Sequence, residues 1–385
     1  MQKIHRRHKK FLINNEYSKK KILLISASGK TGGGPSHIFL LRELLEDEFD
    51  FYLAMPSFNS KSMQFDNNKY LEIAERKILL MDIIRLVIFF RKNSIDIIHA
   101  HGKGAGLIAR IIKIFLNKPL IYTFHGVHTT CLNRLKKNIY IFYENLTGWL
   151  DDEKVFVSLS EKLHAINLKI FIGKKNRIIN NSTKKMIRSE VNREKNNHKI
   201  GINNKKKNII SICRLVDQKN IFEIFEIAKN LEMYNFVILG NGYLLDKAKN
   251  YIKSKKIKNV YLLGNKKDVF KYLYESDLFL STSLYEGHPI SILEAMSIGL
   301  PIVASKVTGN IDTIKNNFSG LFYRLGDING AVNCIEKIMK NTDLRLKISN
   351  NAFLTHRKLF TTKKMKNEYL SLYNENYKYL SQYNF

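Results

Sequence analysis

Cysteine is scarce in this chain of 385 residues, and its three cysteines, Cys131, Cys213 and Cys334, form no Cys-x-x-Cys pair. Their spacing provides neither a disulfide framework nor a structural zinc site, and it favours a reducing cytoplasm.

Long apolar runs are also missing. The longest one near a helix, LLMDIIRLVIFF at residues 79–90, is interrupted by two charged residues and is too short to span a bilayer. No apolar segment follows the basic start MQKIHRRHKK, so we expect no signal peptide.

Acidic residues are few relative to basic ones, 34 against 64, which gives a net charge of +30. An excess of this size predicts an anionic partner, which could be nucleic acid, an acidic membrane face or a phosphorylated substrate. Lysine, asparagine and isoleucine are abundant throughout, so compositional drift on solvated faces explains the bulk of the charge equally well. Two segments are denser in basic residues. We predict a basic N-terminal arm at residues 1–20 and a basic linker at residues 184–206.

Short β-branched runs alternate with amphipathic helical segments over residues 21–183 and again over residues 207–361. Such alternation is typical of the α/β class, with parallel sheets covered by helices on both faces. The sequence therefore predicts two doubly wound, Rossmann-like domains that face each other across a cleft, with ligands at the carboxyl ends of the strands. The tail at residues 362–385 is predicted to be helical, with a packing stripe made of Tyr369, Leu372, Tyr373, Tyr377 and Leu380.

Three short segments could contact a phosphate or a sugar. In SGKTGGGPSH, glycines follow a strand and would let the backbone approach a phosphate, although a tight turn without a ligand fits equally well. In RLVDQKN, Arg214 and Lys219 flank the end of a strand and could neutralise a diphosphate, although a surface pair is slightly favoured. In YTFHG, His125 ends a strand and could touch a substrate, or it could be a satisfied core histidine.

A metal site is a weaker prediction. His99 and His101 would point to one face of a strand, but no carboxylate or cysteine with ligand spacing stands near them. We therefore predict no metal.

The strongest signal is the segment YEGHPISILEAMSIGLPIVAS, which places Glu286 and Glu294 around the start of a helix that is otherwise almost wholly apolar. A helix of this kind is buried, and a buried glutamate needs a partner. Pro289 suits the start of a helix, and the free N–H groups behind it form an anion site that the helix dipole reinforces. The alternative is a glutamate that hydrogen-bonds a neighbouring loop for purely structural reasons.

With these segments in view, the chain resembles the retaining glycosyltransferase family 4, of the GT-B fold, over nearly its whole length. The matching segments follow in order: GGGPSH, IDIIHAHG, YTFHG, RLVDQKN, ILGNG, LLGN, and EGHPISILEAMSIGLPIVAS followed by VTGN. The family pattern of two glutamates separated by seven residues is met by Glu286 and Glu294. The resemblance also implies that the C-terminal helix crosses back to the N-terminal, acceptor-side domain.

The resemblance implies a role for each matching position. Glu294 is expected to hold the ribose hydroxyls of a nucleotide sugar, and Glu286 to contact the donor sugar near its reacting end. Arg214 and Lys219 are expected to bind the diphosphate, and His125 to lie beside the anomeric carbon. Backbone groups of Gly33, Gly34, Ser291 and Ile292 are also expected to bind the diphosphate. Gly264 and Asn265 are expected to contact the base. The family pattern is not met at His288, where many relatives have an aromatic or apolar residue, or at Asn181-Ser182, which replaces Asn-Gly.

The implied reaction transfers a sugar from a nucleotide-diphosphate sugar, expected to be a UDP-sugar, to a lipid-linked saccharide in cell-surface polysaccharide or glycolipid synthesis. Cations and a helix N-terminus can stabilise the leaving phosphate without a metal, so no cofactor is expected. No carboxylate is an obvious nucleophile. We therefore hypothesise same-face attack, with the phosphate taking the acceptor proton, rather than a covalent intermediate.

The remaining expectations concern partners. The basic arm, together with Arg134, Lys136 and Lys137 in residues 132–140, is expected to bind an anionic membrane peripherally, at the cytoplasmic face of the inner membrane. Two alternatives stay open. A sugar phosphorylase or nucleotide-sugar epimerase would keep the fold, whereas a basic nucleic-acid-binding protein would leave the two glutamates unexplained. We find no recognisable nucleic-acid module and expect no nucleic-acid partner.

Overall fold

The computed structural model describes residues 19–29, 32–57, 65–127, 129, 133–173, 175–184 and 206–381. These residues form two parallel sheets of seven and six strands, each with helices on both faces, so the predicted fold class is confirmed. The predicted basic arm lies outside them except for its last two residues, and so does the predicted linker except for its two ends. No helix in the described part of the chain is both long and apolar enough to cross a membrane.

The first sheet has the strand order β3-β2-β1-β4-β5-β6-β7. Its strands are β1 (Lys20–Ser26), β2 (Phe49–Met55), β3 (Tyr70–Glu72), β4 (Ile97–His101), β5 (Leu120–Thr123), β6 (Glu153–Phe156) and β7 (Asn176–Ile178). Its helices are α1 (Gly33–Leu45), α2 (Leu80–Lys92), α3 (Lys103–Phe115), α4 (Arg134–Thr147) and α5 (Leu159–Asn167). Because side chains alternate along β1, Leu23 and Ile25 pack against α2 and α3, whereas Ile22 and Leu24 pack on the opposite face against α1.

The second sheet has the strand order β10-β9-β8-β11-β12-β13. Its strands are β8 (Asn208–Ile212), β9 (Asn235–Leu239), β10 (Val260–Gly264), β11 (Leu278–Ser281), β12 (Ile302–Ser305) and β13 (Leu321–Tyr323). Its helices are α6 (Ile221–Lys229), α7 (Leu245–Ser254), α8 (Phe270–Tyr274), α9 (Ile290–Ser297), α10 (Asn310–Thr313), α11 (Ile328–Lys340) and α12 (Thr342–Leu359). In both sheets the order reverses beside the first strand, which opens a crevice at the carboxyl ends of the strands.

The C-terminal helix α13 (Thr362–Ser381) crosses back to the first domain as predicted. Met365, Tyr369, Leu372 and Tyr373 are buried in the same core as α1. The Tyr373 hydroxyl lies 2.8 Å from Nδ1 of His99 on β4. The two crossing segments also meet each other, because Thr183 and Thr361 form an isolated parallel bridge. The predicted stripe therefore packs, although the side chain of Leu380 lies outside the described residues.

The glycine segment corrects one expectation. Its glycines were predicted to lie in a loop or tight turn after the strand, whereas α1 begins at Gly33 and has Gly32 as its N-cap. Gly33 and Gly34 therefore belong to the first helical turn. No side chain in the described part of the chain caps this helix, so its first N–H groups are available to a ligand in front of them.

Candidate active site

A cavity of about 350 Å³ lies between the carboxyl edges of the two sheets. It lies at the crevice that each strand order opens, where ligands of doubly wound folds bind. Nine of the predicted site residues line it: Gly33, Gly34, His125, Arg214, Lys219, Asn265, Glu286, Ser291 and Glu294. Gly264 and Ile292 are not among the lining residues. The structure therefore brings together most of the residues that the sequence singled out from five separate segments.

Helix α9 carries the glutamate that faces the cavity. Its apolar side chains Ile292, Leu293, Ala295 and Met296 are fully buried, which explains why the helix is apolar around most of its circumference. Glu294 lines the cavity, and burial raises the pKa of its carboxyl group to about 7. No side chain in the described ranges hydrogen-bonds that carboxylate. Its hydrogen-bonding capacity is therefore available to a ligand.

Two helix N-termini meet at the cavity. Pro289 is the N-cap of α9, and its carbonyl accepts hydrogen bonds from the N–H groups of Ile292 (3.1 Å) and Leu293. The expected contribution of the Ile292 amide would therefore require that bond to break, whereas the Ile290 and Ser291 amides have no acceptor within the described part of the chain. A β-carbon on Gly33, in the first turn of α1, would lie 3.7 Å from Cδ1 of Ile290. The two positive ends of these helix dipoles thus lie close together.

The two predicted cations occupy the same region. Arg214 passes so near the N-cap of α1 that a β-carbon on Gly32 would lie 3.6 Å from Nε of the arginine. Its Nη2 also donates to Oε1 of Gln218 at 3.4 Å. Lys219, at the end of a 3₁₀ turn, forms an ion pair with Glu286. Both side chains of that pair are largely buried, so the pair is well shielded from water.

Glu286 is held from several sides. Besides Lys219, the Ser283 hydroxyl donates to its Oε1 at 2.6 Å, and its own N–H donates to the Thr308 carbonyl at 3.0 Å. These contacts fix the carboxylate at the cavity wall, which Lys219 also lines.

His125 enters from the first domain on a strained turn. Its φ is +54°, a left-handed conformation that few side-chain-bearing residues adopt, and Gly126 follows with φ +112°. The Gly126 N–H donates to the buried carboxylate of Glu161, which also accepts from Val157 N–H at 2.7 Å. Burial raises the pKa of Glu161 to about 7. The second domain approaches this turn closely, because a β-carbon on Gly287 would lie only 3.0 Å from Gly126 N.

A cluster of buried histidines lies behind His125. His101 Nδ1 and His125 Nε2 are 2.9 Å apart, and the His37 ring stands edge-on to His125. The ring nitrogens of His37, His101 and His125 are all within 4.8 Å of one another, a geometry that a metal could use. However, both nitrogens of His37 already have partners, Asn181 Oδ1 at 2.9 Å and Tyr369 OH at 3.0 Å. Burial lowers the pKa of His37 to about 4 and that of His101 well below its usual value, so both rings are neutral.

The two positions that depart from the family pattern touch each other across the cleft. Asn181 Nδ2 donates to the His288 carbonyl at 2.8 Å. The His288 ring is buried against Phe360, and burial lowers its pKa to about 3. The uncommon residues thus form one interdomain contact at the edge of the cavity.

Sequence reasoning missed four residues of this region. Gln218 and Lys266 line the cavity, Ser283 orients Glu286, and His37 supports the histidine cluster. Lys266 could not be distinguished from the many other lysines. His37 lies inside the quoted segment GGGPSH, but its role depends on Asn181 and Tyr369, which are distant in the sequence.

Comparison with known families and proteins agrees with this geometry. The family model described as "Glycosyl transferases group 1" matches residues 192–355, and that described as "Glycosyltransferase Family 4" matches residues 31–181. Among curated relatives, the Escherichia coli UDP-Gal:alpha-D-GlcNAc-diphosphoundecaprenol alpha-1,3-galactosyltransferase is 29% identical over 70% of this chain and 73% of its own length. The Staphylococcus aureus capsular polysaccharide biosynthesis glycosyltransferase CapM is 24% identical over 77% of this chain and 80% of its own length.

Solved structures share the fold. Anabaena HepE, crystallised in complex with UDP-glucose, superposes with a TM-score of 0.80 at 17% identity and covers 92% of this chain and 99% of its own. A glycosyltransferase from Rickettsia africae superposes with a TM-score of 0.77 at 20% identity, over 94% of this chain and 99% of its own.

Proposed function

We propose that this chain, which belongs to glycosyltransferase family 4, transfers a hexose unit from a UDP-sugar to a lipid-linked saccharide with retention of the anomeric configuration. The observation that carries the proposal is the convergence of two helix N-termini, Arg214 and Lys219 on one cavity that Glu286, Glu294 and His125 also line. The positive groups match the negative charge of a diphosphate, and the two glutamates can accept hydrogen bonds from the hydroxyls of a nucleotide sugar.

The diphosphate would lie where the first turns of α1 and α9 approach each other. Negative charge develops on the leaving phosphate oxygen as the glycosidic bond breaks. Arg214, Lys219 and the amides of Ile290 and Ser291 would stabilise that charge. Removing one such donor costs about 3–4 kcal/mol of barrier in comparable sites. Because the cations are supplied by the chain, we propose that the reaction requires no metal.

Glu294 would hold the ribose. Its carboxylate has no protein partner in the described residues, and it projects from the same helix whose N-terminus would face the diphosphate. A carboxylate can accept hydrogen bonds from two neighbouring hydroxyls, which suits the 2′ and 3′ hydroxyls of a ribose. Asn265 and Lys266, which also line the cavity, would lie toward the base.

The donor sugar would lie between Glu286 and His125. Of the residues that line the cavity, Glu286 and Glu294 are the acidic ones, and Glu286 is engaged by Lys219 and Ser283. Neither is a free nucleophile if Glu294 holds the ribose. We therefore propose same-face attack, in which the acceptor oxygen replaces the phosphate oxygen at the anomeric carbon and its proton passes to the departing phosphate. Mass-spectrometric detection of a glycosyl adduct on a side chain would contradict this mechanism.

Relatives supply the support for the substrates. The Escherichia coli relative is named for UDP-galactose and a diphosphoundecaprenol-linked acceptor. A Campylobacter jejuni relative, 29% identical over 38% of this chain, is also named for a diphospho-undecaprenol acceptor. We propose the same substrate classes here, with the reaction at the cytoplasmic face of the membrane that holds the acceptor.

A thermal-shift panel of UDP-sugars, other nucleotide sugars and bare diphosphates tests the donor. Ligand that binds only the native state stabilises it by about 2.7 kcal/mol at a hundredfold excess over Kd, so a UDP-sugar should raise the Tm clearly. Glu294→Ala should abolish the shift, whereas Glu232→Ala, at an exposed position of the second domain, should retain it. The proposed donor class is wrong if no UDP-sugar shifts the native protein.

A second assay separates transfer from the alternatives. A transferase releases UDP only when an acceptor is present, whereas an epimerase releases none and a phosphorylase requires phosphate. We expect UDP release that depends on a lipid-linked saccharide. Release without any acceptor, or a requirement for phosphate, would favour other chemistry on the same fold.

A further inference from the structure

Helix α4 exposes four large apolar side chains, although its one buried residue is the charged Glu144. Leu135, Ile139, Phe142 and Leu146 are 57–68% exposed, and Trp149, just after the helix, is 70% exposed. The spacing of four, three and four residues places the four helical side chains on one narrow stripe along the solvent side. We call these five residues the α4 stripe. A soluble helix normally turns such a stripe toward the core.

The inward face explains why α4 does not rotate to bury the stripe. Glu144, on that face, is fully buried, and its carboxylate accepts from Arg110 Nη2 at 2.8 Å. The same guanidinium donates to Asp151 at 2.6 and 2.9 Å. Turning the helix would leave Arg110 and Glu144 buried without partners, which costs several kcal/mol. The outward orientation of the stripe is therefore held by an ionic cluster beneath it.

The borders of the stripe are basic. Arg134 and Lys136 are exposed on either side of it, and no acidic side chain of α4 is exposed. Helix α2 covers the same face of the sheet and also exposes apolar residues, with Leu80 77% and Ile88 60% exposed, beside the half-exposed Arg85. Apolar side chains with positive charge at their edges fit the interfacial zone of an anionic bilayer, where an aromatic residue such as Trp149 is also favoured.

We infer that the α4 stripe is a membrane-docking surface that inserts into the headgroup region of a bilayer rich in anionic lipid. A second copy of the chain fits less well, because two copies of the stripe in contact would bury their basic borders together, and α4 exposes no acidic side chain to pair with them. The surface is also suitably placed. Helix α4 follows β5 and so begins at the carboxyl edge of the sheet, the edge that carries His125. Docking would hold the cavity near the membrane surface. That this position brings the cavity close to a lipid-linked acceptor rests on the proposed function.

Vesicle flotation of the full chain tests the inference. Wild-type protein should float with phosphatidylglycerol-containing vesicles and much less with pure phosphatidylcholine, and added salt should weaken the binding. Ile139→Ser/Phe142→Ser should reduce the partition coefficient at least tenfold. Leu346→Ser/Leu354→Ser is the matched control, because these leucines are equally exposed on α12 of the second domain, and it should bind like wild type.

Three results would overturn the inference. The first is equal binding of the α4 variant and wild type, which would assign any membrane affinity to another part of the chain. The second is equal binding of wild type to neutral and anionic vesicles. The third is a wild-type dimer in sedimentation velocity that the α4 substitutions dissociate, which would assign the stripe to self-association. The UDP-sugar thermal shift, measured on the same variants, should not change. A failed donor test and a failed docking test are therefore distinguishable.

Discussion

A carboxylate without a hydrogen-bond partner among the described side chains is costly to keep on a mostly apolar helix, and Glu294 is such a group. Burial disfavours its charged form, which is why its pKa rises to about 7. Its neighbours Ile292, Leu293, Ala295 and Met296 all contribute to the core of the second domain, so an apolar residue at position 294 would cost the fold little. A structural glutamate would be hydrogen-bonded within the protein. The cavity that Glu294 lines instead indicates a ligand for its carboxylate.

The raised pKa predicts that donor affinity depends on pH. In the proposed complex the ribose hydroxyls would donate to the ionised carboxylate, so donor binding would remove a proton from Glu294 when the pH is below about 7. The Kd for a UDP-sugar should therefore fall as the pH rises from 6 to 8. At one pH unit below the pKa, affinity should be about tenfold weaker than its plateau. Isothermal calorimetry with an intact UDP-sugar is the suitable measurement, because the terminal phosphate of UDP itself titrates near pH 6.

Glu294→Gln provides the control, since an amide cannot titrate and should flatten the profile at a weaker affinity. Glu161, whose pKa is also raised to about 7, makes a different contribution. Its folded-state pKa lies above the usual value, so its contribution to the free energy of unfolding is largest at low pH and is lost as the pH rises through 7. A pH profile that persists in Glu294→Gln would assign the effect to Glu161 or another group.

At the scale of elements, a buried cluster of charges that includes Glu144 holds α4 in one orientation on the first domain. Arg110 donates to Glu144, Asp151 and the Thr147 hydroxyl, and Lys154 lies 2.8 Å from Asp151. All four charged side chains are almost fully buried. A buried cluster is stable only while its charges are mutually compensated.

Arg110→Met should therefore lower the free energy of unfolding by about 3–5 kcal/mol, because Glu144 loses its ion-pair partner inside the domain. The double variant Arg110→Met/Glu144→Leu should recover much of that loss, since it leaves the Asp151–Lys154 pair intact. Urea unfolding monitored by circular dichroism gives both values. If Arg110→Met is as stable as wild type, the cluster does not hold α4 in place.

Strands and helices differed in how far the sequence could predict them. Continuous β-branched runs such as KILLISA correctly indicated the central strands, because these are buried on both faces. The edge strands β3 and β13 have three residues each and were not predicted, since so short a run carries no periodicity. The start of α1 at Gly33 was also missed. Glycine has a low helix propensity, and Gly32 offers no side chain as an N-cap, so nothing in the local sequence indicates a helix start here.

The candidate site also combines residues that the sequence could identify with contacts that it could not. Glu286, Glu294, Arg214 and Lys219 could be identified because their residue types and spacing are local features. The contact of Asn181 with His288 and the bonds of His37 could not, because each joins residues more than 100 positions apart. Long-range contacts of this kind depend on how the two domains dock, which single-sequence patterns do not report.

At the scale of the whole molecule, both domains contribute to the candidate site. Gly33, Gly34 and His125 come from the first, whereas the cations and both glutamates come from the second. On the proposed function, a donor would make all its contacts only when the cleft has the width seen here. A cluster of hydrogen bonds between the two domains would help to set that width. Asp312 on α10 accepts from the N–H of Ser160 at 3.0 Å, and the Ser160 hydroxyl accepts from Gly309 N–H at 2.9 Å.

Asp312→Ala should favour the open arrangement without damaging either domain. Hydrogen bonds to a charged group are worth about 1.5–3 kcal/mol, so losing this link should weaken UDP-sugar affinity about tenfold or more. Small-angle scattering should show a larger radius of gyration in the free variant that donor binding reverses. Glu232→Ala, which removes an exposed acid of the second domain, should change neither quantity. Unchanged donor affinity would mean that Asp312 does not control the cleft, and a parallel fall in the unfolding midpoint would mean that it stabilises a domain instead.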